Sequence, residues 1–287
     1  MSAPTLSPPA SSSPEAAHVA KPPRRRLGGQ SVLFIYTWLV IIWLIIPIVV
    51  MIAFGFNDTK GRYNQSWEGF TFKWYHPAKL FEIGELTNAL WTSLVIAVIS
   101  SVLAAALGTG IGYALGRYRF HGSGTLNLIM FSTISSPELI MGASLLSFFV
   151  SAGLGLGAVT ITIAHVMFSL SFVAIIVRAR VITLDRSIEE AAADLGASAW
   201  VTFWKVTFPI ILPAVFSGLL LAFALSIDDF VVTNFTAGSE VTFPLWIWGS
   251  TRVGLPPQVN VMGTLIFGVG VLIAIASNIR SRKANKS

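Results

Sequence analysis

The sequence predicts an all-α integral membrane protein with about six transmembrane helices, and three observations carry that prediction. Hydrophobic residues make up 54% of the 287 and charged residues only 11%, against roughly 25% charged in a soluble domain. Mean hydropathy is +0.74. Apolar stretches long enough to cross a hydrocarbon core recur along the chain, separated by polar segments. A water-soluble fold of this length has no interior large enough for so much apolar surface, so the bilayer is the expected solvent.

The elements follow in order. Residues 1–30 read as a disordered basic tail: Pro, Ser and Ala dominate as far as Pro23, and Arg24, Arg25 and Arg26 follow. A basic patch before an apolar run also opens a secretory signal. Here the run over 32–56 is too long for a signal and leads to Asn57-Asp58-Thr59-Lys60 with no small-residue cleavage site, so it reads as a transmembrane helix. Further spans are predicted over 89–115, 126–150, 156–177, 210–233 and 261–279, within a membrane domain covering 31–287. Pro47, Pro137 and Pro213 fall inside the first, third and fifth stretches. Membrane helices tolerate proline where neighbours satisfy the freed carbonyls.

Lys and Arg set the expected orientation. With both termini inside, fourteen of the 19 basic residues lie on inner segments, and only Lys60, Arg62, Lys73, Lys79 and Arg252 lie outside. Both termini are therefore expected in the cytoplasm, on the inner face of the membrane. The basic balance reflects that inner surface rather than binding to nucleic acid. The outer segment over 57–88 holds Trp67, Phe70, Phe72, Trp74 and Tyr75, which read as an interfacial aromatic belt, with a partner-docking surface as the alternative. With no Cys, disulfides, thiolate metal sites and cysteine nucleophiles are excluded together.

Between the fourth and fifth stretches lies a loop over about 186–209, too polar to span. Ser187 with Glu190 three residues on has capping-box spacing, and Gly196 suits a left-handed stop. A second short helix is predicted over 198–206, ending near Pro209. Glu190-Ala191-Ala192, Gly196, then Val206-Thr207-Phe208-Pro209 resembles the "EAA" loop of binding-protein-dependent ABC importer permeases. Val206 and Phe208 depart mildly from the Ile and Leu of that pattern. The resemblance implies a type I ABC importer permease fold with a core over about 88–279. It also implies that the loop is a coupling element, seated on a separate ATPase subunit through Glu190, Ala191, Ala192, Gly196 and Pro209.

Acidic residues inside a membrane are functional candidates. Three stand here: Glu138 after Pro137, and Asp228 with Asp229. No Lys or Arg lies within an apolar stretch except at its ends, so a path lined by carboxylates favours a cationic solute over an anion. The structural alternatives are a helix cap for Glu138 and hydrated headgroups for the Asp pair. Ser136-Pro137-Glu138, the run Leu225 to Val232, Val253-Gly254 and Val259-Asn260 are similar to stretches of spermidine/putrescine permeases, in their C-type subunit, with likeness from about Trp67 to Ile279. That resemblance implies a polyamine. Its amines would meet the carboxylates, and Trp246, Trp248 or Phe230 would meet its charge by cation–π contact. Permeases for other small solutes share much of the same pattern.

The remaining classes have little support. His18, His76, His121 and His165 stand at no metal-ligand spacing, and no Gly-x-Ser-x-Gly or His-Glu-x-x-His occurs, which argues against a membrane enzyme. No inverted repeat marks a self-sufficient transporter. No phosphate-binding Gly-x4-Gly-Lys-Ser/Thr occurs, so no cofactor is expected on this chain, and ATP is expected on a partner. The implied partners are two ATPase subunits, a second related permease and an external solute-binding protein.

Overall fold

A computed structural model describes residues 27–284. Its helices in chain order are α1 (Leu27–Phe54), α2 (Pro77–Leu80), α3 (Gly84–Arg117), α4 (Ser123–Ser135), α5 (Glu138–Ser151), α6 (Ala158–Ile182), α7 (Ser187–Asp194), α8 (Ala199–Thr202), α9 (Phe208–Asp228), α10 (Val231–Thr236), α11 (Phe243–Ser250) and α12 (Pro257–Ala284). Two compact units divide the chain at Val50. Within the first, the described residues are the start of α1, a helix apolar on every side with Pro47 inside it. The tail expected over 1–30 lies outside the described residues as far as 26, and α1 begins over 27–30.

The second unit is built on α3, α6 and α9. Spacing of small residues explains why they pack. Gly108, Gly112 and Gly116 recur every fourth residue, on one face of α3. A methyl group on Gly112 would lie 2.5 Å from the Ala174 carbonyl oxygen, and one on Gly108 would lie 2.7 Å from Val173 Cβ. Helices in lipid gain little from burying apolar surface, so close backbone approach through small residues holds them together. Val173, Val177 and Val181 of α6 fill the seam against Ala104 of α3 and Ile211 and Ala222 of α9.

Among the described residues, four helical stretches are long and apolar enough to span: Ser31–Phe54, Gly84–Arg117, Ala158–Ile182 and Ala199–Asp228. The predicted third span is instead a pair of helices, α4 and α5, bent by 110°. Pro137 is the reason. It lacks an N–H and drives Ser136 into extended backbone (ψ 132°), so the helix stops and restarts in a new direction. The fifth stretch also ends early, because Asp229 is extended (ψ 120°) and separates α9 from α10. The sixth corresponds to α12, whose segment Pro257–Ile273 is a shorter apolar helix. The sequence expectation of six spans is thus met by four spans, one broken pair and one shorter helix.

After α1 the polar segment folds around Asn57, which is fully buried. Its Nδ2 donates to Asn64 Oδ1 and to Ser66 O, both at 2.6 Å, and its Oδ1 accepts from Glu68 N at 2.7 Å. The aromatic residues cluster beside it: Phe56 stacks on Tyr75 at 4.8 Å and on Phe70 at 5.4 Å.

Candidate functional site

Two sites stand out, and the first is where α9 breaks. Asp228 and Asp229 leave this break in different directions. Asp228 is exposed and lines a cleft of about 700 Å³ with Phe230, Phe243, Ile247 and Trp248. The rings of Phe230 and Trp248 lie 4.9 Å apart on that wall. Glu138 opens α5 at the bend, exposed and near enough to Asp228 for their charges to interact. A carboxylate beside an aromatic pair suits a cation held through charge and ring faces together.

Trp246 is not part of this cleft. It packs instead on the apolar cluster of Leu80, Leu86 and Val259, because neighbours two apart on a helix face different ways.

Asp229 is buried, with 7% of its side chain exposed. Its Oδ2 accepts from Thr233 N and Thr233 Oγ1, both at 2.7 Å, so it starts α10 as a side-chain cap. His165 of α6 lies against it, with Nε2 2.9 Å from Thr233 Oγ1 and 3.3 Å from Asp229 Oδ2, and Nδ1 2.6 Å from Ser226 Oγ. Ser100 of α3 donates to Ser226 Oγ at 3.0 Å. One arrangement of protons runs through the chain of hydroxyls and ring: Ser100 donates to Ser226, Ser226 to Nδ1, Nε2–H to Thr233, and Thr233 to Asp229, with Nε2 also facing the Asp229 carboxylate. Sequence reasoning placed Asp229 on the solute path and passed over His165, Ser100, Ser226 and Thr233. The available signal was polar residues inside apolar stretches.

The second site is the polar loop. Helix α7 forms over the predicted residues, and Gly196 takes the left-handed stop at φ +84°. The expected capping box does not form. Ser187 is the first helical residue, and its amide donates to Asp185 Oδ1 at 3.0 Å, a short carboxylate reaching two residues on. That bond holds the Asp185 carboxyl below its ordinary range.

The second short helix does not end near Pro209 either. After α8, residues Phe203–Thr207 widen into a π turn in which Phe208 N–H reaches Phe203 O, and the helix continues into α9. The wider turn removes the clash that a proline ring makes with the carbonyl four residues back.

Of the motif residues, Glu190, Ala191 and Gly196 are exposed and Ala192 is half-buried. Leu195 is 90% and Trp200 71% exposed beside them. Glu189 turns the other way. Its Oε2 accepts from Arg117 Nε at 2.6 Å and pairs with Nη2 at 2.5 Å, while its Oε1 accepts from Thr207 Oγ1 at 2.8 Å. Nothing in the motif spacing marks Glu189, whose partners are 72 and 18 residues away in the chain.

Residues 108–279, which hold the loop and the break in α9, match the family of binding-protein-dependent transport system inner membrane components. The chain belongs to this family. It is 36% identical over 251 residues to the spermidine/putrescine transport system permease protein PotC of Haemophilus influenzae, covering 87% of this chain and 96% of that one. It is 37% identical over 249 residues to the putrescine transport system permease protein PotI of Escherichia coli, with coverage of 84% and 87%. A solved bacterial ABC transporter that imports the acidic polysaccharide alginate shares the fold, with TM-score 0.61 and 18% identity over 91% of this chain and 99% of that one. The MetNI methionine transporter aligns with TM-score 0.56 and 18% identity, over 70% and 97% of the two chains. This family member is therefore a multi-pass membrane permease subunit of an ABC importer. Membership implies an ATPase and a solute-binding protein as partners.

Proposed function

We propose that this permease carries a polyamine into a bacterial cell, both termini lying in the cytoplasm. The observation that carries the reading is the cleft at the α9 break, where Asp228 stands with Phe230 and Trp248 and within electrostatic reach of Glu138. A polyamine presents amines along an aliphatic chain, so its charges meet carboxylates and aromatic ring faces together. Charges spread along an open cleft bind weakly, and a conducting path needs weak binding so that solute leaves. Strong selection falls to the external binding protein. The permease relatives of spermidine and putrescine systems support the same solute class.

The mechanism is alternating access. An external binding protein delivers the solute to a path enclosed by this chain and a second related permease. Two ATPase subunits bind ATP, for which this chain needs no cofactor of its own. They grip the loop on the cytoplasmic side through Glu190, Ala191, Ala192 and the Gly196 turn, and Pro209 carries the movement into α9. The exposed Leu195 and Trp200 extend that surface. Each ligand shifts the balance between outward and inward states only by binding one of them better.

The test is uptake into vesicles holding the complex of this chain with its ATPase, second permease and binding protein. ATP-driven entry of radiolabelled spermidine or putrescine, with sulfate excluded, is the expected result. Entry of an anionic or neutral solute in preference would overturn the polyamine reading.

A further inference from the structure

The loop helix α7 has no buried residue, and its Ile188 borders Leu184, Val206 and Ile210 while still 42% exposed, so apolar packing alone does not fasten it to the membrane helices. Polar bonds do, and they converge on Glu189. One carboxylate oxygen accepts from Nε of Arg117, the last residue of α3, and pairs with its Nη2, and the other takes the hydroxyl of Thr207, in the π turn that opens α9. Arg186, next to α7, donates from Nη2 to the Arg117 carbonyl at 3.2 Å. Thr207 is 1% exposed, and the side chains of Arg117 and Glu189 are 10% and 20% exposed. The pair is thus shielded from the solvent screening that makes most surface ion pairs weak. Contact through both Nε and Nη2 also fixes direction more than a single flexible contact does.

We infer that Glu189, rather than the adjoining motif residue Glu190, is the positioning residue that passes movement of the loop into α3 and α9 through Arg117 and Thr207. The two glutamates then divide the work across one helix: Glu190 faces outward to the partner, and Glu189 faces inward to the bundle. Both helices it holds belong to the α3–α6–α9 core, and α9 ends at the break that carries Asp228. A pull on α7 therefore reaches the cleft along α9, whose far end carries Asp228. The inference rests on the proposed function.

The experiment compares solute taken up per ATP hydrolysed in vesicles holding the full complex. Glu189→Gln keeps the shape and a hydrogen-bond acceptor for Thr207 but loses the charge. It is expected to retain basal ATP hydrolysis and co-purification of the ATPase, while uptake per ATP falls by roughly fivefold or more, the range of coupling between linked sites. Because the chain has no Cys, Arg117→Cys with Glu189→Cys provides a second arm. A short bifunctional thiol reagent joining the two is expected to restore the ratio that the unjoined pair loses. A merely structural role moves assembly rather than this ratio. A normal ratio in Glu189→Gln, loss of the ATPase from that variant, or no rescue on joining would overturn the inference alone. If the unsubstituted complex shows no ATP-driven uptake, the proposed function falls and takes the inference with it.

Discussion

His165 Nε2 lies 3.3 Å from Asp229 Oδ2 in a region where the histidine is 1% exposed. One imidazole joins α6 to the start of α10, and through Ser226 and Ser100 to α9 and α3. The break in α9 is therefore a constructed feature: the backbone groups freed there are met by Asp229, and Asp229 is met by Thr233 and His165. In lipid there is no water to substitute for these partners.

Replacing His165 with Leu leaves Thr233 and Ser226 without their ring-nitrogen partners and removes the imidazole that faces Asp229. The expected cost is about 1–3 kcal/mol, read as a lower unfolding temperature of the purified complex in detergent. His165→Gln, whose amide supplies both a donor and an acceptor, is expected to lose less.

The paired aspartates should separate by assay. Asp228→Asn should slow polyamine uptake and leave thermal stability unchanged, because this carboxylate faces the cleft. Asp229→Ala should lower stability by about 0.5–2 kcal/mol, the usual cost of losing a helix cap. Equal behaviour of the two variants in both assays would contradict the division drawn here.

Tryptophan positions two residues apart give a matched comparison. Trp248→Ala should weaken transport of the cation by ~2–5-fold in KM, consistent with a partly solvated cation–π contact. Trp246→Ala removes a half-buried side chain packed on the Leu80 and Leu86 cluster instead, so it should cost stability of about 1–3 kcal/mol. Uptake kinetics and thermal unfolding of both variants check the assignment.

Gly112→Val tests the α3–α6 seam. The added Cβ would meet the Ala174 carbonyl oxygen at 2.5 Å, so the helices must separate, at about 1–3 kcal/mol or more. Reduced yield of folded protein is expected. Gly110→Ala, on the open face of the same helix, should be tolerated.

Part of this protein was legible without coordinates. Hydropathy marked the apolar helices because each satisfies its own backbone bonds and must only be long and apolar enough, both local properties. The Glu190–Gly196 helix and its stop were legible for the same reason: a left-handed glycine and a run of good helix formers act within a few residues. The bend at Pro137 was not foreseen: residues 126–150 read as one span through the proline, and the 110° turn appears only in the fold. Tertiary structure alone decided which of two adjacent acids faces outward. Asp229 is buried because Thr233, His165 and the α10 amides arrive there, and Glu189 turns inward because Arg117 does. Both choices depend on partners brought together from other helices. Spacing along a chain reports which residues share a face, and the folded bundle determines what that face meets.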